Sequence, residues 1–153
     1  MASTPPDTTD PAANGNCSAS VNESLSRVER LIQLHEDRPG EEEFYERLGD
    51  ELQTLHALMR THHPAGARPQ VSEEDFTPEC VSDLDRLCEE HGVFLGITDR
   101  LVRAVESMAG RPMEDQTVFI LKVHELAAMI RRHEAEERRL MYLAMWRDTG
   151  GES

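Results

Sequence analysis

Leu25, Val28, Ile32 and His35 recur at steps of three and four, the spacing that lines side chains along one face of an α-helix. Ser20 and Glu23, three apart just ahead of that stripe, have capping-box spacing and predict a helix start near Ser20. The run Asp37, Arg38, Pro39, Gly40 ends it, because a proline disfavours helical geometry in the residue before it. A second stripe of Phe44, Leu48, Leu52, Leu55, Met59 and His62 predicts a helix over about 41–62, closed by Pro64, Gly66 and Pro69. The third helix has the clearest start, with Thr77 as cap, Pro78 at the first helical position and Glu79 in the first turn. Its stripe is Val81, Leu84, Cys88, His91, Leu95, Thr98, Val102 and Val105, and Gly110 and Pro112 terminate it. The fourth starts near Asp115 and runs to about Trp146, with Phe119, Val123, Leu126, Ile130, His133, Glu137, Leu140 and Ala144 on one side.

No segment alternates in the manner of a strand. Short turns separate the first helix from the second and the third from the fourth, so each pair is expected to be antiparallel. The pattern predicts an all-α fold, an up-down-up-down antiparallel four-helix bundle over residues 20–147. Residues 1–19, rich in Pro, Thr, Ser, Asn and Asp, read as a disordered tail, and 148–153 as a short C-terminal tail. The polar connection over 64–76 is long for a bundle.

Aromatic residues are 5% of the chain, so the core must be aliphatic and methionine-rich. A net charge of -14 argues against nucleic acid or an anionic membrane as partner. Three cysteines, Cys17, Cys80 and Cys88, suggest no disulfide framework, and an odd count suits a reducing compartment. With no signal-peptide pattern at the N-terminus and no apolar run of about 20 residues, the expected location is cytoplasmic.

Polar residues interrupt the stripes where a core should be. A buried polar group without a partner costs roughly 1–3 kcal/mol, so His62, His91, His133 and Glu137 each need a neighbour. His133 and Glu137 are four apart, one helix turn, and so share a face. Counting from the end with the short turns, His91 and His133 both lie about eighteen residues down, His62 about twenty-one and Glu137 about twenty-two; at 1.5 Å per residue the set spans about 6 Å. Three helices thus send ligand atoms to one level. Two readings fit: a metal site, with iron and zinc preferred over manganese, or a buried hydrogen-bond network. Cys88, one turn from His91, is a small apolar filler or a zinc ligand. His35, His56, His63 and His124 fall outside the set. The run of Arg131, Arg132, Glu134, Glu136, Arg138 and Arg139 reads as a salt-bridged wet face. There is no Gly-rich phosphate loop and no nucleophile elbow, so an enzymatic role is the weakest reading.

The stretches EEHGVFLGITDRLV and RRHEAEERRLMYLA resemble the second half of a hemerythrin-like (HHE) domain. The resemblance implies a helical bundle around a non-haem di-iron centre, with His91, His133 and Glu137 as ligands and His62 in the place of the second helix's histidine. It departs from the family at Gly66, where a glutamate would stand, and on the first helix, where Asn22 lies nearest the expected histidine. The first half of the site is therefore depleted. Three outcomes follow: one ion held by His91, His133, Glu137 and His62; two ions with a recruited ligand such as Glu90 or Cys88; or a metal-free bundle. The corresponding functions are oxygen or iron handling or sensing, with dioxygen as ligand, and a metal-free interaction or regulatory module.

Overall fold

The computed structural model describes residues 11–39, 43–62 and 77–149, and within them the side chains of residues 20–39, 43–61, 77–143 and 146. Four helices account for the architecture: α1 (Pro11–Asp37), α2 (Phe44–His62), α3 (Pro78–Met108) and α4 (Met113–Thr149). No strand occurs among the described residues. Each helix packs on the next, and α1 closes the ring against α4 through the thinnest of the four seams. This is the packing order of an up-down-up-down bundle. No helix among the described residues is long and apolar enough to cross a membrane.

The helix starts show where local chemistry decided. Thr77, extended at φ -67° and ψ 159°, accepts a hydrogen bond from the Cys80 amide at 3.3 Å, and Pro78 follows in the first turn. That is the expected cap. At the other end of α3, the Gln116 side-chain amide donates to the carbonyls of Met108 and Arg111, at 3.0 and 3.1 Å. The first is a carbonyl of the last turn of α3 and the second belongs to the connection, so one side chain ties the helix end to the turn. By contrast, α1 begins at Pro11, not Ser20, so the expected tail over 1–19 is helical for its second half. Proline is well placed at a first helical position, and Asn14, Gly15 and Asn16 weaken a helix by up to about 1 kcal/mol each without stopping it. Likewise α4 runs three residues past Trp146, to Thr149.

The main core is aliphatic, as the composition required. Val21, Leu25, Val28 and Ile32 of α1 meet Leu48, Leu52, Leu55 and Met59 of α2 and Val123, Leu126 and Ile130 of α4. Each such side chain contributes about 1.5–3 kcal/mol on burial. To this core α3 contributes the buried Phe94, Leu101 and Val105, while Leu95 and Val102 are half-buried. The inner face is wider than the expected stripe because α3 packs on both α2 and α4. Where α2 crosses α3 the backbone comes close: a Cβ at Gly49 would stand 3.0 Å from Val105 Cγ1. A smaller apolar cluster of Leu84, Leu87 and Leu140 lies further along α3 and α4. His35 is half-buried and stacks on Phe44, ring centroids 3.8 Å apart.

Candidate metal centre

Between the two apolar clusters, α3 and α4 turn imidazoles toward each other. His91 and His133, 4% and 3% exposed, sit where leucines would otherwise fill the seam. Their Nε2 atoms are 2.7 Å apart. Glu137, one turn beyond His133, places Oε1 3.5 Å from each of those nitrogens. Three donors from two helices therefore point at one spot, with all three ligand atoms within 4.8 Å of one another. Ligand atoms held about 2.0–2.2 Å from a first-row metal ion lie about 3–4 Å apart, so the set fits one ion with a small widening between the rings.

The level counted along the helices thus brings His91, His133 and Glu137 together. His62 closes α2, but its side chain lies outside the described residues, as does the connection carrying Gly66. Cys88 is buried and Cys80 half-buried, and neither is in a disulfide.

A further carboxylate orients the centre from outside. Glu90 Oε2 lies 2.8 Å from His133 Nδ1. With the Nδ1 proton donated to Glu90, the Nε2 lone pair of His133 is left to face His91 and Glu137. A carboxylate behind a metal-binding histidine fixes its tautomer and raises its basicity in this way. Phe94 walls the ring on another side, edge-on at 5.2 Å between centroids. Burial opposes charging of His133, but the hydrogen bonds and charges of Glu137 and Glu90 outweigh it and hold its pKa above the usual histidine value.

Glu134 corrects the expectation of a wet face along the arginine-rich run. It is 3% exposed and turned into the bundle. Asn22 of α1 stands close enough to draw the carboxyl's pKa down, yet neither Glu134 oxygen reaches full hydrogen-bond geometry with a partner. Burial dominates and pushes the pKa up; Glu137 adds to the rise, while Arg138 and His133 pull against it. The physical reason is angular: α4 packs on α3 and α1, so its inward arc takes in positions 133, 134 and 137 together. The rest of the run does form ion pairs, but mainly across helices: Arg131 to Glu29 at 3.2 Å, Arg86 to Glu136 at 2.5 Å, and Arg139 to Asp83 at 3.9 Å.

A cavity of about 340 Å³ leads from the surface to His133, lined by Glu90, Val93, Phe94, Met129, Arg132 and Glu136 among others. Arg86 lines it too, held by Glu136 and by Glu90 at 3.8 Å. A small molecule can therefore reach the outer face of His133 between α3 and α4.

No known protein family, curated protein or solved structure matches the chain.

Proposed function

We propose that the chain is a hemerythrin-like bundle that binds one transition-metal ion, iron in the first instance, through His91, His133 and Glu137. The observation that carries this reading is the convergence of two buried Nε2 atoms and one carboxylate oxygen within 4.8 Å. Two imidazoles with one carboxylate are a donor set suited to ferrous iron with open coordination positions, and also to zinc. When bound, ferrous iron supplies a centre able to take up dioxygen or a related small oxidant.

The residues have distinct roles in this reading. His91 and His133 supply neutral nitrogen donors, and Glu137 supplies negative charge. Glu90 holds the His133 ring in register through Nδ1. Phe94 packs edge-on against the His133 ring, and the cavity beside Glu90 admits small molecules to that ring's outer side. The departures at Asn22 and Gly66 favour one ion over two, because a second cation would lack bridging carboxylates. Oxygen handling, iron handling and sensing all remain within this reading, in the cytoplasm.

The test is elemental analysis of freshly purified protein beside a variant with both His133→Ala and Glu137→Ala. About one equivalent of iron or zinc in the parent and none in the variant is the expected result, with a chelator lowering the parent's Tm because the ion stabilises only the folded state. Less than about a tenth of an equivalent of any transition metal, with chelator-independent melting, would overturn it.

A second reading has its own observation. The 2.7 Å contact between the rings, backed by Glu90, satisfies His133 without an ion. In that case the bundle is a metal-free interaction or regulatory module whose buried network fixes the pairing of α3 with α4.

A further inference from the structure

A second cavity, of about 620 Å³, follows the α3–α4 seam toward the turn that joins the two helices. We propose that it binds an aliphatic monocarboxylate of medium chain length, independently of any metal. Its floor is core: Leu101, Phe119 and Leu126 are each 5% exposed or less. Ala104, Met108 and Val118 line it as well, and Val118 is 50% exposed, an apolar surface without cover. The size is that of small-molecule sites, which are mostly apolar with a few placed polar groups.

The polar groups are of the unexpected sign. Arg100, Arg111 and Lys122 line the cavity against Asp115 and Glu125, three bases to two acids, in a chain with sixteen bases to thirty acids. Arg111 is engaged with Asp115 at 3.8 Å. Arg100 and Lys122 have no ion pair among the described residues; the Arg100 Nε donates only to the Gly96 carbonyl, at 3.3 Å. Arg100 lies eight residues before the end of α3, and Lys122 nine after the start of α4. At 1.5 Å per residue the two sit about 12–14 Å from the turn, facing each other across the seam. Two unengaged cations at one level, with an apolar trough running from them to the turn, match an anionic head and an apolar tail.

The length and charge narrow the ligand. With carbon–carbon bonds of about 1.5 Å, a trough of about 12 Å takes an extended tail of roughly eight to ten carbons. The acidic protein repels anions at a distance, and Glu125 lies one turn from Lys122. A single negative charge is therefore admitted more readily than a phosphate dianion, and apolar burial must supply much of the affinity.

The experiment is calorimetric titration of the full chain with decanoate below its micelle concentration, in parallel with decanol and decyltrimethylammonium. Saturable binding of one decanoate is expected. It should weaken at least tenfold in Arg100→Gln, Lys122→Gln, a double variant at exposed positions that leaves the core intact. An Ala104→Trp variant that fills the trough, checked for unchanged helicity by circular dichroism, should lose binding. Decanol or the cationic amphiphile binding as tightly as decanoate would overturn the proposal. So would the absence of saturable binding, or an acidic amphipathic helix that occupies this seam in a protein that takes up no decanoate. Metal content plays no role in the readout, so failure here leaves the reading of the histidine centre untouched.

Discussion

The two halves of the bundle are built on different principles. Toward the α3–α4 turn, the four helices share one apolar core, with Ile32, Leu48, Val105, Phe119 and Val123 among its members. Beyond Phe94, the same two helices α3 and α4 instead carry His91, His133 and Glu134 as buried side chains and Glu137 as a half-buried one, with the smaller cluster of Leu84, Leu87 and Leu140, flanked by Cys80 and Val81, packed below. Stability is concentrated in the first half, where apolar burial is uninterrupted. The second half buries ionisable groups in the seam, an arrangement that contributes less to stability than apolar packing of the same volume.

Perturbing each half should therefore give different signatures. The largest effect belongs to the core: Leu126→Ala should cost about 3–5 kcal/mol in urea unfolding, since the side chain is 1% exposed and its neighbours collapse only partly. Metal bound per folded molecule should not change, and a proportionate loss of metal would erase the distinction. Next comes the support of the centre. Glu90→Ala should weaken metal binding about 10- to 100-fold by freeing the His133 ring, while shifting Tm in the apo protein only slightly. Unaltered affinity would remove Glu90 from the site.

A smaller effect, of the opposite sign, is expected at Glu134. Replacing its buried carboxyl by an amide, Glu134→Gln, removes an ionisation that the interior opposes and should stabilise the metal-free protein at neutral pH by about 1 kcal/mol. Destabilisation instead would mean that Asn22 and Arg138 hold the carboxylate in its charged form.

The smallest and most diffuse effect is on pH dependence. A carboxyl whose folded pKa is raised keeps its proton after the unfolded chain has lost it, so Glu134 makes apo stability fall as pH rises above about 4.5. A histidine raised in the same sense contributes stability below about 6.5 that is lost as pH climbs through its folded value, so His133 extends the decline. Metal-stripped protein should therefore show a urea midpoint that falls as pH rises above about 4.5 and continues to fall above about 6.5. Metal binding should strengthen over the same interval, because the ion competes with a proton for His133 Nε2. A midpoint that rises with pH after stripping contradicts both assignments.

Much of this architecture was legible in the residue pattern alone. The three-four stripes and the Thr77–Pro78 cap located the helices, and counting residues from the short turns put His91, His133 and Glu137 at one level. What the stripes missed was lateral. Phe94 and Leu101 lie deeper than the neighbouring Leu95 and Val102, and Glu134 is buried amid arginines and glutamates, because a helix touching two others buries an arc wider than one row. His56, which falls outside the inward set of histidines, is half-buried for the same reason. Glu90 showed only as a spare carboxylate beside His91; nothing in spacing along one helix tells that it reaches His133 on another. The extension of α1 to Pro11 was hidden because a composition poor in apolar residues looks the same in a coil and in a solvated helix.

The tight crossing at Gly49 and Val105 has a mechanical consequence for the histidine pair. With no side chain on Gly49 the two helices pack closely at this point, so a small relative tilt would pivot about this contact. His91 is fourteen residues away on the same rod, about 21 Å at 1.5 Å per residue, so a tilt of only about one degree swings its ring by about 0.4 Å. That is enough to spread the facing Nε2 atoms from 2.7 Å to the spacing an ion requires, while the apolar half of the bundle barely moves.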